Sequence, residues 1–128
     1  MDYLIDSQIL VWMATTPERI TPKQINILSH TQTRRIVSIA TPYELFLKES
    51  LGKLVLKDSI EHYIHEYVRL GSVILLPITM DHLSAFKTLP FHHKDPFDRL
   101  IIAQAIVENL PIITSDTMFD RYDIVTIR

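Results

Sequence analysis

Short, unbroken apolar runs alternate along this chain with stretches in which apolar residues recur every three or four positions. Three such runs are Asp2 to Asp6, Arg35 to Ala40 and Ser72 to Leu76. They are too short for helices and lack the alternation of half-exposed strands, so they read as strands covered on both faces. Pro111 to Thr114 is a fourth, and Ile124 to Ile127 is a candidate short fifth. Between them the spacing turns helical: Ser7 to Ala14, Lys57 to Leu70 with a stripe of Ile60, Ile64, Tyr67 and Val68, and Thr79 to Leu89. Three further helices share one opening grammar, a capping side chain, then proline, then Gln or an acid three places after the cap. These are Thr21-Pro22-Lys23-Gln24, running to about His30, Thr41-Pro42-Tyr43-Glu44, running to Gly52, and Asp95-Pro96-Phe97-Asp98, running to Glu108. Strands alternating with helices predict an α/β fold, three layers with a central, mainly parallel sheet of four to five strands. Gly52 and Gly71, the only glycines, sit where helices stop.

Polar residues interrupt this pattern at informative places. On a helical wheel Asp98 falls between Ile102 and Ala105, in the apolar face, while Gln104 and Glu108 take a separate polar edge. A carboxylate there must be capped, paired or bound to a cation, because burying an uncompensated charge costs several kcal/mol. Asp6, Glu44 and Asp116 each follow a predicted strand end, and ligands of parallel sheets bind outside the carboxyl ends of the strands.

Composition narrows the chemistry. At 128 residues the chain suits a single domain, 1–128. With no cysteine it has neither disulfides nor thiolate sites, which is compatible with a cytoplasmic location. The acidic start MDYLID is unlike an export signal, and no apolar run approaches the roughly 20 residues of a bilayer span, so no membrane is expected. A net charge of −2 gives no general attraction for nucleic acid, so any such partner must be met by a local patch or through metal ions.

Four acids on one rim repel one another, and a divalent cation removes that cost. Oxygen ligands favour Mg²⁺ or Mn²⁺, whose natural reaction with such a site is phosphodiester hydrolysis. The competing reading is structural: Thr41 with Glu44 and Asp95 with Asp98 also fit capping boxes, and Glu44 can pair with Lys48 one turn on. The Thr21 cap, by contrast, carries no acid and follows no strand. A phosphoacceptor receiver domain shares the fold class and an acidic Mg²⁺ pocket. It requires paired acids after the first strand, where this chain has Asp6 followed by Ser7 and Gln8. A haloacid-dehalogenase-type phosphatase fails on the same residues, since Gln8 stands where its second acid belongs.

LPFHHKDPFDRLIIAQA at Leu89 to Ala105, supported by LID at Leu4 to Asp6, SIATPYELFLK ending at Lys48, LGKL at Leu51 to Leu54, LLPIT at Leu75 to Thr79 and LPIITSD at Leu110 to Asp116, resembles the PIN-domain ribonucleases. Within them it is similar to the VapC-like toxins of bacterial toxin-antitoxin pairs. The resemblance implies a PIN fold and metal-dependent cleavage of RNA, with Asp6, Glu44, Asp98 and Asp116 as catalytic acids. It further implies Asp6, Asp98 and Asp116 as holders of Mg²⁺ or Mn²⁺, with Ser7, Asp95 and Thr114 in support. It also implies a cognate antitoxin and a homodimer. Relatives commonly have Thr then His or Asn after the first acid, and Arg before the last, where this chain has Ser7, Gln8 and Ser115. A catalytically silent PIN-like module that binds RNA or protein is the alternative within the family.

The remaining polar residues are assigned more simply. Lys48, His92, His93, Lys94 and Arg99 are candidate RNA contacts, with a solvated loop as the alternative for the residues before the last long helix. His62 and His65 read as surface residues, because a zinc-protease spacing would need His where Arg69 stands. Trp12, Tyr43 and Phe46 are expected in the core rather than in a partner groove.

Overall fold

The computed structural model of the protein describes residues 1–128. Five strands form one sheet: β1 (Asp2–Ile5), β2 (Arg34–Ser38), β3 (Ile74–Leu76), β4 (Ile112–Ile113) and β5 (Thr126–Ile127). Their order is β3-β2-β1-β4-β5 and every pair is parallel. The helices are α1 (Ser7–Thr15), α2 (Pro22–Ser29), α3 (Ala40–Ser50), α4 (Ile60–Arg69), α5 (Met80–Thr88) and α6 (Pro96–Glu108), with 3₁₀ turns at Pro17–Arg19 and Thr117–Arg121.

The unbroken apolar strands have the predicted cause. Successive side chains of a strand point to opposite faces. Ile5, Val37 and Ile113 enter one core with Ile9, Leu10, Leu45, Ile60 and Ile64. Their neighbours Leu4, Ile36 and Ile112 enter a second core with Ile101, Ile102, Ala105 and Phe119. Two cores, one on each face, make three layers. From β1 the chain winds outward through β2 to β3, then returns after α6 to β4 on the other side of β1. The strand ends at that reversal leave a crevice, and Asp6 and Asp116 follow the two strands that flank it.

Helix openings show where local grammar holds. At α2 the capping box is complete: Gln24 N–H donates to Thr21 Oγ1 at 3.2 Å, and Thr21 N–H donates to Gln24 Oε1 at 3.1 Å. Helix α3 instead starts at Ala40 without a side-chain cap, and the Thr41 hydroxyl meets that of Ser7 at 3.1 Å. At α6, Asp95 Oδ1 accepts from the amides of Phe97 (2.8 Å) and Asp98 (3.2 Å), but Asp98 does not reach back. The Asp95 amide donates to His93 Nδ1 at 3.1 Å. Helix α4 starts at Ile60, later than expected, because Ser59 caps it by accepting from the His62 amide.

The polar edge of α6 is not uniform, because α5 covers Gln104 and its amide donates to the Pro77 carbonyl at 3.3 Å. Tyr43 and Phe46 are exposed (65% and 41%) rather than in the core, whereas Trp12 does pack against it. The stops at Gly52 and Gly71 hold, with φ of 72° and 70°, a left-handed backbone that glycine takes without a Cβ penalty. No helix is long and apolar enough to cross a membrane.

Candidate active site

All four acids singled out from the sequence line one cleft of about 440 Å³, together with Asp95, Lys48 and Lys53. Asp6, set where β1 turns into α1, is 4% exposed and its carboxylate Oδ2 accepts from Thr114 Oγ1 at 2.8 Å. The same Thr114 oxygen accepts from the Asp116 amide at 3.0 Å. One buried hydroxyl thus ties the acid after β1 to the acid after β4. Ser7 contributes differently from Thr114, joining the start of α1 to that of α3 through Thr41.

Glu44 sits on the first turns of α3, 4% exposed. Its Oε2 is 3.1 Å from Lys48 Nζ, so Lys48, expected at RNA, also holds this acid. Glu44 Oε1 is buried with no hydrogen-bond partner. Asp98, in the first turn of α6, and Asp116, after β4, each place Oδ2 3.0 Å from His93 Nε2. Asp116 Oδ1 accepts from the Met118 amide at 2.9 Å.

Crowding of acids appears in their ionisation. Burial pushes Asp98 up to about 8, with further upward pressure from Asp6, Asp95, Glu44 and Asp116. Burial raises Asp6 to about 6 against the hydrogen bond from Thr114, with Glu44 and Asp116 adding to the rise. Both values mark a deficit of positive charge. An unpartnered buried carboxylate oxygen and a mainly oxygen donor set are what a hard divalent cation satisfies. Asp98, Asp116 and His93 bring one candidate ligand atom each within 4.8 Å of one another. Asp6 is outside that triplet, with its Oδ2 on Thr114.

Two of the sequence expectations are corrected at the rim. Arg99 is not available to RNA: it is 3% exposed, donates to the Pro90 carbonyl at 2.9 Å, and stacks over Phe91 with its guanidinium carbon 4.0 Å from the ring centre. Its place one turn before the apolar Ile102 and Ala103, on the same face of α6, carried that signal. His93 turns inward to the acids, where the sequence suggested phosphate. His92 and Lys94 remain exposed, the His92 ring standing edge-on to Tyr122 at 5.2 Å. Lys53, in the cleft wall after α3, had not been singled out, although the LGKL string contains it. Tyr122 was also missed; its hydroxyl accepts from the His93 amide and donates to Pro90, both at 2.8 Å.

Solved structures of similar fold are chains of the VapBC2 complex of Rickettsia felis bound to a promoter DNA fragment (17% identity, TM-score 0.73, 99% of this chain and 98% of that one). Others are VapBC-1 of nontypeable Haemophilus influenzae (18%, 0.68, 99% and 97%) and VapBC-5 of Mycobacterium tuberculosis, from a family of toxin-antitoxin systems (20%, 0.62, 99% and 98%). No curated protein sequence matches significantly. The PIN domain family model matches residues 3–125, which sets the receiver-domain alternative aside: this chain belongs to the PIN domain family.

Proposed function

We propose that this chain is a divalent-metal-dependent endoribonuclease and the toxin of a toxin-antitoxin pair, acting as a single domain in the cytoplasm and assembling as a homodimer. The observation that carries the reading is the convergence of Asp6, Glu44, Asp98 and Asp116 in one cleft, with Asp98 raised to about 8 by burial and by its acidic neighbours. Similarity to VapBC chains along nearly the full length supports an antitoxin as partner.

Asp6, Asp98 and Asp116 would hold Mg²⁺ or Mn²⁺, which supplies an activated water and neutralises charge on the scissile phosphate. Thr114 orients Asp6 and the Asp116 backbone against each other. Glu44 lines the same cleft with one oxygen unpartnered, and Lys48 keeps its other oxygen in place. Lys48 and Lys53 offer cations to substrate phosphates at the cleft wall, and the exposed Lys94 and His92, in the loop before α6, offer further phosphate contacts.

The test is cleavage of a structured RNA pool by antitoxin-free protein with Mg²⁺, Mn²⁺ or EDTA, beside Asp98→Asn. The expected result is metal-dependent cutting that falls at least about 100-fold in the folded variant. RNA binding without cutting under either metal would replace this reading with the silent-module alternative.

A further inference from the structure

His93 lies between two acids of the cleft. Its Nε2 is hydrogen-bonded to Asp116 Oδ2 at 3.0 Å and is equally close to Asp98 Oδ2. The residue is held by its backbone and by two contacts of its ring. The His93 amide donates to Tyr122 Oη at 2.8 Å, Phe119 packs edge-on with ring centres 5.9 Å apart, and the Asp95 amide donates to Nδ1 at 3.1 Å.

The contact with Asp95 decides the chemistry. A backbone amide is only ever a donor, so Nδ1 must be an acceptor, and the proton of a neutral imidazole is then on Nε2. Towards Asp98 and Asp116 the ring therefore presents an N–H and no lone pair. A His, Asp, Asp triplet within 4.8 Å has the spacing of a metal site, yet its nitrogen has nothing to donate to a metal while Asp95 keeps its bond.

We propose that His93 is a positioning residue that stands in for the cation in the metal-free site, its Nε2–H drawing Asp98 and Asp116 together and giving way when a divalent ion takes those oxygens. This rests on the metal reading above. It inverts the effect expected of the residue. Removing a ligand weakens metal binding, whereas removing a competitor strengthens it.

The measurement is Mg²⁺ binding by calorimetry to wild type, His93→Ala and His93→Gln, at about pH 9 to lessen proton competition at Asp98. His93→Ala should bind Mg²⁺ about three- to tenfold more tightly and melt lower without metal. His93→Gln, which restores an N–H at similar reach, should return towards wild type in both. Weaker or unchanged binding in a folded His93→Ala overturns the proposal and leaves the metal reading standing. No Mg²⁺ binding by wild type overturns both. Nitrogen NMR of the wild-type imidazole adds a check independent of any variant: a proton on Nδ1 in the metal-free protein would also sink the idea.

Discussion

Thr21 to Gln24 and Asp95 to Asp98 open two helices with the same spacing of cap, proline and third-position polar side chain, yet they end in opposite states. At α2 the third residue serves its own helix: Gln24 returns a hydrogen bond to Thr21, and its amide nitrogen donates to the carbonyls of Thr114 (3.1 Å) and Ile127 (3.0 Å). Every polar atom of that side chain is used in holding the fold. At α6 the cap works in one direction only, because His93 takes the Asp95 amide that Asp98 would otherwise accept. Asp98 is left among other acids with its charge opposed. A capping motif that fails to close thus marks the residue free for chemistry, and α3 repeats the point with Glu44 and its unpartnered Oε1.

The largest expected consequence separates the two helix starts by pH. Asp98 is raised from 3.8 to about 8 in the folded protein, chiefly by burial and then by neighbouring acids. Above the unfolded value the native state retains a proton that the unfolded chain has released. Stability is therefore greatest at low pH within this window and falls as pH rises towards 8, by an amount on the order of several kcal/mol. Asp6, raised to about 6, adds to the lower part of the same decline. Urea unfolding in EDTA from pH 5 upward should show this fall. Asp98→Asn should flatten its upper part and exceed wild type in stability at high pH. A wild-type curve that stays level would remove the electrostatic argument for a cation.

The matching change at α2 should act on stability alone. Gln24→Ala deletes the reciprocal cap and strips the Gln24 donor from the buried Thr114 carbonyl, while the Ile127 carbonyl keeps the Thr114 amide, a loss of about 2–3 kcal/mol. In a folded sample its Mg²⁺ affinity should remain within about threefold of wild type, and its pH slope should persist, since Gln24 holds only the Thr114 carbonyl and the bonds of the Thr114 hydroxyl with Asp6 and the Asp116 amide are untouched. Loss of metal affinity in proportion to stability would mean that the two helix starts are not separable.

How far the chain could be read in advance follows the same division. Periodicity made the sheet and helices legible because Leu4 and Ile5, or Ile112 and Ile113, bury opposite faces of the same strand. The four acids were legible because strand ends and helix starts are local features. What depended on distant neighbours was not. Arg99 looked like a phosphate ligand until Phe86, Phe91 and the Pro90 carbonyl enclosed it. Gln104 read only as part of a polar edge until α5 covered it, and the bond from the Asp95 amide to His93 Nδ1 has no counterpart in spacing.

Asp95 offers the finest cut, because it belongs to both sides of the comparison. As a cap it needs only an acceptor oxygen, so Asp95→Asn should alter stability by less than about 0.5 kcal/mol at about pH 4, below the range in which Asp98 acts. As an acid it is one of the charges that raise Asp98, after burial and Asp6. The variant should therefore lower the Asp98 midpoint by a fraction of its displacement, read by NMR of the Asp98 carboxyl through a pH titration, while Mg²⁺ still binds. Asp95→Ala should lose about 1 kcal/mol with the cap. Should Asp95→Asn instead abolish Mg²⁺ binding at unchanged stability, Asp95 would be a ligand in its own right. The half-closed box at α6 would then supply two acids to the metal, and the rule that only the unused member of a box does chemistry would fail.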